Sequence, residues 1–414
     1  MIRAWFATTL WKRIMAMLVL GILFGAIAGD AASSISWMGT IFIRLIRMIV
    51  VPLVFVTLVS GVVAMGDPKK LGSLGIKTLT MYIGTTVVAV TIGLTMAAIF
   101  QPGVGVDLTG AAPKAVDRSH SLTETLVGII PTNPVHALAN GNMLAIIFFA
   151  ILLGSGILMA GRKAKPLAEV FDAGSEVMLK MTHLVMETAP FGVFALIAGV
   201  VGTGGVGKLL EVLPLVGAFL SACILHLVIT HGSIMKFMLR LSPVRFFRDI
   251  TGAQLVAFST SSSSGTLPVT MTVAEENLGV NKTVASSVLP LGATINMDGT
   301  ALYVGIVAVF AAQIFHIPLG LTQYVLIAFS ATMVSVGTAA VPSAGLFMLA
   351  AVMAVLGITD VQTALIVGFI FPFDRPLDMI RTVVNVTGDL SVSTAVAKWE
   401  GDLDEKVFNA SAVD

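Results

Sequence analysis

Apolar residues along this chain run in blocks, near 14–29, 48–65, 79–100, 142–160, 190–201, 211–233, 303–315 and 323–356. Most are long enough to cross or deeply enter hydrocarbon, which takes about 20 residues per helix. Up to about residue 235 the pattern predicts six ordinary spans, with one polar connection near 102–135 that carries Pro102, Pro113, Pro131 and Pro134. After Arg248 the blocks are interrupted, by STSSSSGTLP at 259–268, NMDGT at 296–300 and SVGTAAVPSAG at 335–345. A continuous helix facing lipid does not tolerate such stretches, because the freed backbone groups have no partner there; they persist where they line a protein cavity. The first and third interruptions both place hydroxyls and glycine before a proline between apolar arms. That suits two helical hairpins that enter a membrane and turn back at a Ser/Gly tip, the pattern of a binding site at the midplane of an inverted repeat. A flexible linker, the plainer reading of the serine run, has no reason to sit between apolar arms.

Composition agrees. Of 414 residues 56% are hydrophobic and 11% charged, against about a quarter charged in soluble domains, so the expected class is an all-α, multi-span membrane protein with eight transmembrane helices and two re-entrant hairpins. Forty glycines fit close helix approach in lipid. Cys223 is the sole cysteine, so there is no intrachain disulfide, and a net charge of +1 points to no nucleic-acid partner. Lys12 and Arg13 precede the first span, Lys69 and Lys70 follow the second, Arg162, Lys163 and Lys165 follow the fourth, and Arg240, Arg245 and Arg248 follow the sixth. The positive-inside rule puts all of them, and the N-terminus, on the cytoplasmic face. With seven further apolar blocks behind it, the first run is expected to be an uncleaved helix rather than a signal peptide.

The last block carries the strongest chemistry. Asp374, Asp378, Arg381, Asn385 and Asp389 are spaced by four, three, four and four residues, so at about 100° per residue they share roughly one quarter of a helix. Each charge at mid-membrane costs about 2.5–3.5 kcal/mol on insertion scales. A structural ion-pair network would use Arg381 against Asp378, yet three carboxylates against one or two arginines leave negative charge that a bound cation would answer. NMDGT adds Asn296 and Asp298, hard oxygens beside the freed carbonyls of a helix break, the kind of group a cation takes as ligand.

These residues resemble a known family. SSSSGTLPVT at 261–270, LPLGATINMDGTALY at 289–303, SVGTAAVPSAG at 335–345 and DMIRTVVNVTGDL at 378–390 are similar, in order and spacing, to the dicarboxylate/amino acid:cation symporters, which include archaeal aspartate transporters and animal excitatory amino-acid transporters. RLIRMIVVPLVF at 44–55 and PTNPVHALANGNMLAIIFFAILLG at 131–154 match as well, so the likeness runs from about residue 10 to 400. The resemblance implies a homotrimer with scaffold segments at 1–76 and 102–205, an elevator-type transport domain at 77–101 and 206–400, and a cytoplasmic tail at 401–414. It further implies that Arg381 pairs with the side-chain carboxylate of an acidic amino acid and that Asp378 takes its ammonium. Ser263, Thr300 and Asn385, with the backbone at Ser261, Val341 and Gly345, would hold the rest. Sodium, as cargo, would be met by Asn385 and Asp389 with carbonyls of Gly292 and Asn296; by Thr294 with carbonyls of Ser335, Val336 and Thr338; and by Tyr82, Thr85 and Thr86 with Asn296 and Asp298.

Within that resemblance, Asp378 and Asp389 favour an acidic amino acid driven by sodium over a proton-coupled or four-carbon dicarboxylate carrier, and Arg381 argues against neutral amino acids. Two departures stand out. Ser261 and Met379 occupy positions where archaeal and animal members respectively carry a second arginine, while this chain has Arg375; and Val304 replaces the proton-carrying glutamate of animal members. An intramembrane serine hydrolase on Ser261–Ser264 would need a base, and none of His183, His226, His231 or His316 stands at a recognised spacing. A channel could use the same stripe, but two closing hairpins favour alternating access. Short loops point to a bacterial inner membrane with both termini cytoplasmic and lipid as the surrounding partner.

Overall fold

Glycine, proline and small polar residues close the apolar runs and set the helix ends. The computed structural model describes residues 8–64, 68–106, 108, 123, 127–338 and 343–410. Its helices are α1 (Leu10–Ala28), α2 (Ser36–Ala64), α3 (Pro68–Phe100), α4 (Pro134–Asn140), α5 (Met143–Ala160), α6 (Lys165–Met186), α7 (Ala189–Gly204) and α8 (Leu213–Leu225). They continue with α9 (Pro243–Asp249), α10 (Thr251–Thr260), α11 (Ser263–Thr272), α12 (Lys282–Ile295), α13 (Asp298–Ile314) and α14 (Leu321–Val336). The last are α15 (Ala344–Phe347), α16 (Leu349–Val355), α17 (Asp360–Glu400) and α18 (Glu405–Asn409). Among the described residues the only extended pairing is the antiparallel bridge Val280–Leu403. Five stretches are long and apolar enough to cross a membrane: Leu10–Ala64, Gly72–Phe100, Met143–Met186, Val206–Met238 and Lys282–Ile314. The first, third and fifth each hold two helices, and α17 is not among them because its charged stripe dilutes its apolar face.

The helices pack in two groups. α1, α2, α5, α6 and α7 lie on one another, while α3, α8, α10–α13 and α16 surround α17, and α14 packs on α3 and α13. The groups touch where α7 meets α17, α5 meets α14 and α2 meets α12. Gly21 and Gly25, one turn apart on α1, let it press onto α7: a Cβ on Gly25 would sit 2.6 Å from the Ala198 carbonyl oxygen. Small residues at that spacing are how membrane helices approach closely. Arg13, buried on α1, closes the same seam with a two-pronged pair to Glu187, at 2.6 and 3.0 Å.

Two features depart from the apolar-run reading. α6 is a 22-residue helix lying outside every apolar window. Glu169, Asp172, Glu176 and Lys180 recur on its exposed face while Met178, Thr182, Val185 and Met186 are buried, so it is amphipathic rather than uniformly apolar. Residues 401–410 are not a loose tail. Asn281 donates to the Asp402 carbonyl at 3.0 Å, Asp404 donates to the Gly279 carbonyl at 2.8 Å, and Phe408 is fully buried. Lys77 and Ser73 donate to Glu400 at 2.9 and 3.0 Å, and together they hold its carboxyl below the usual carboxylate range.

Candidate functional site

α17 presents its stripe inward. Asp374, Asp378, Arg381, Asn385 and Asp389 are all buried, with Arg375 beside them. Arg381 donates through Nε and Nη2 to Asp378 Oδ1, the former at 3.1 Å, and its Nη2 lies 3.7 Å from Asp374. Arg375 Nη1 stands 3.6 Å from Asp378 Oδ2, and the Ser343 amide donates to the same oxygen at 2.8 Å. The Arg381 guanidinium also lies over the Tyr303 ring, 4.6 Å from its centre. Two carboxylates thus face two guanidiniums. The expected excess of negative charge on this half of the stripe is absent, because Arg375 is buried with it. Arg381 Nη1 and Arg375 Nε are buried without a hydrogen-bond acceptor among the described residues, and unpaired buried donors are costly. Asp374 Oδ1 and Oδ2 are likewise buried without a hydrogen-bond donor among the described residues.

Two helix pairs bring their turns to this cluster. α10 ends at Ser261, whose left-handed backbone (φ 52°) reverses the chain into α11, where the Ser262 hydroxyl caps the helix by accepting from the Gly265 amide at 3.0 Å. Across from it, Ser343 also takes a left-handed turn (φ 62°) into α15. Ser261, Ser263, Thr300, Thr338, Gly345, Asp378, Arg381 and Asn385 then line one cavity of about 10 Å³, room for roughly a single water. All the expected substrate residues meet there except Val341, which lies outside the described residues.

A second cluster sits further along α17, where the chain breaks between α12 and α13 at Asn296 and Met297. Asn296 Nδ2 donates to Asp389 Oδ1 at 3.0 Å, and the Thr85 hydroxyl approaches Asn296 Oδ1 at 3.4 Å. Asp298 splits its carboxylate: Oδ1 accepts from the Thr86 hydroxyl at 2.6 Å and Oδ2 lies 3.2 Å from His226 Nε2. A Cβ on Gly292 would overlap both Asp389 Oδ1 and the Tyr82 hydroxyl, so that glycine is what lets α12 come this close. Among the described residues no Lys or Arg forms an ion pair with Asp298 or Asp389. The uncompensated charge of the stripe is here.

Other expected ligands make contacts within the protein. The Asn385 side chain accepts from the Gly299 amide at 2.8 Å and donates to Met297 sulfur at 3.2 Å, so it fastens the break, while its carbonyl faces Asn296 Nδ2 at 3.5 Å. The Tyr82 hydroxyl donates to the Val288 carbonyl at 3.0 Å, away from Asp298. Thr294, Val336 and Thr338 line a separate cavity of about 130 Å³ with Ser264. Thr294 and Thr338 donate to carbonyls of their own segments at 2.9 and 2.7 Å, which leaves their oxygen lone pairs to face it. Ser335 is buried next to that cavity, with its hydroxyl turned back to Thr332 at 2.8 Å. His226 and His231 attend Asp298 rather than the serines. A pair of histidines inside an apolar span was the signal for them, since ionisable groups there are rare and functional.

The model of the sodium:dicarboxylate symporter family matches residues 10–399. The chain is 36% identical over 401 residues to the proton/sodium-glutamate symport protein of Geobacillus stearothermophilus, covering 94% of each chain. It is 37% identical over 416 residues to the proton/glutamate-aspartate symporter of Escherichia coli (strain K12), covering 96% of this chain and 94% of that one. It is 33% identical over 405 residues to the C4-dicarboxylate transport protein of Geobacter sp. (strain M21), covering 95% and 91%. With its buried charged stripe, helix break and paired turns, this chain belongs to the sodium:dicarboxylate symporter family, whose members are membrane transporters and not enzymes.

Proposed function

We propose that this protein imports L-aspartate or L-glutamate into the cell together with sodium. The observation that carries the reading is the division, along α17 and its neighbours, into a neutral cluster that offers guanidinium donors unpaired among the described residues and a negative cluster that no Lys or Arg among them compensates. An amino acid with two carboxylates and an ammonium fits the first, with Arg381 as a bidentate carboxylate partner and Asp378 for the amine. Sodium, as cargo, fits the oxygens of Asp389, Asn296, Asp298 and Thr86, with Thr294 and the carbonyls near Thr338 as a further position. The relatives from Geobacillus and Escherichia are named for glutamate or aspartate, in keeping with this substrate class.

The cavity at Arg381 is too small for an amino acid, so cargo must part the two turns and break the Asp378–Arg381 pair. Opening at the turn around Ser343 and closure over bound cargo give a gate. The two packing groups support an assembly in which α3, α8 and α10–α17 travel as one body past α1, α2 and α4–α7, in a homotrimer in the inner membrane with both termini cytoplasmic. A second reading has its own observation. Asp378 already accepts from Arg381 and the Ser343 amide, with Arg375 close by, which suits a four-carbon dicarboxylate with no amine to bind, coupled to protons.

The experiment is uptake of labelled L-aspartate and succinate into proteoliposomes, first with an inward sodium gradient and then with a proton gradient alone. Sodium-dependent aspartate uptake is expected. Succinate uptake driven by protons, with no aspartate accumulation, would replace the first reading with the second.

A further inference from the structure

His226 and His231 stand five residues apart in one apolar segment, and on an α-helix they would point about 140° away from each other. Here residues His226–His231 form a π-helical turn, whose i to i+5 bonding stacks residues at that spacing and which is found mostly at functional sites. The two rings meet edge to face, with centres 4.8 Å apart. Both are fully buried, and among the described residues neither nitrogen of His231 has a hydrogen-bond partner. Donor atoms of His226, His231 and Asp298 all lie within 4.8 Å of one another.

This donor set differs in kind from the oxygen cluster on the other side of Asp298. Sodium takes oxygens; two imidazoles with one carboxylate suit zinc and its transition-metal neighbours. His226 has the supporting contact such a ligand requires: its Nδ1 is 3.0 Å from the Thr230 hydroxyl, which can accept as well as donate and so permits the tautomer that frees Nε2. Tetrahedral zinc with ligands about 2.0 Å away keeps donors about 3.3 Å apart. His226 and Asp298 already stand at 3.2 Å, and a rotation of the His231 ring, which no hydrogen bond restrains, would bring in the third. The charge suits a divalent ion, since among the described residues Asp298 and Asp389 have no Lys or Arg partner.

We propose that His226, His231 and Asp298 form a binding site for a divalent transition-metal ion, with zinc the best match. The site shares Asp298 with the sodium cluster through the opposite carboxylate oxygen. Metal there would draw the carboxylate away from Thr86 and oppose sodium, a consequence that rests on the sodium reading above; metal binding itself does not.

The test uses the full-length protein purified in detergent and titrated with cobalt(II), whose visible absorption reports tetrahedral nitrogen and oxygen ligation. One cobalt per chain, displaced by zinc, is expected. His231→Leu should weaken binding by at least about tenfold, since losing a ligand matters no less than losing its supporting partner, and His226→Gln should do the same. Each variant is checked by gel filtration, and the pair guards against one failing to fold. Absence of tetrahedral cobalt, or binding by both folded variants as tight as the parent's, overturns the site. In proteoliposomes zinc should raise the sodium concentration needed for half-maximal uptake in the parent but not in His231→Leu. Cobalt binding without that competition would leave the metal site standing and remove Asp298 from the sodium reading.

Discussion

At Arg381 and Asp378 the protein supplies each charge with its opposite, so a substitution at either exposes the other. Truncating one partner of a buried pair costs about 2–5 kcal/mol. Arg381→Cys is therefore expected to reduce acidic amino-acid uptake by at least about 30-fold while admitting neutral amino acids; unchanged aspartate uptake would remove Arg381 from substrate binding. Asp378→Ser should weaken amino-acid binding more than dicarboxylate binding, and equal losses in a competition assay would undo its role at the amine. Gly292→Ala tests the other cluster, because its methyl must displace Asp389 or Tyr82; sodium dependence should shift with little change in substrate selectivity at saturating sodium. Much of this chemistry was legible beforehand. The spacing of Asp374, Asp378, Arg381, Asn385 and Asp389 already places them on one face, and NMDGT already marks a break. The Arg381–Asp378 pair, three residues apart, was legible too; what spacing could not convey is that Asn385 turns its side chain to the Gly299 amide, because that depends on a partner 86 residues away.

Among the elements, the ones hardest to foresee are those whose period departs from a uniform apolar run. α6 hides because its charges recur every three to four residues, which reads as a soluble amphipathic helix until α2 is found covering its other face. The π turn at His226–His231 hides because a period of 3.6 assigns the two histidines to different faces. The paired turns at Ser261 and Ser343 were marked by their serines and glycines, although the left-handed residue is serine in both and not glycine. The seam between α1 and α7 depends on contact between backbones. Gly25→Leu should overpack it by about 1–3 kcal/mol and lower the thermal midpoint of the detergent-solubilised protein; a midpoint equal to the parent's would show that the seam yields.

Across the whole molecule, the C-terminal residues bind distant parts together. Phe408 is buried, Leu403 pairs with Val280, and Arg245 donates to the Asn409 carbonyl. Removing a buried phenylalanine ring costs about 3–5 kcal/mol. Phe408→Ala is expected to release the segment, with trypsin cutting faster at Lys406 while the rest of the chain stays resistant. Equal cutting rates would mean that the strap is held by its backbone contacts alone.

The self-neutralised pair at Asp378 and Arg381 also bears on the return journey. A charge crossing a low-dielectric layer must be matched before it moves, and this half of α17 is matched when no cargo is present. Asp389 further along α17, with Asp298 of α13 beside it, has no Lys or Arg partner among the described residues. For a carrier that shuttles this helix between two aqueous faces, the substrate cluster imposes no electrical toll on the empty stroke, and the membrane voltage would be felt chiefly through the ions that load the other end.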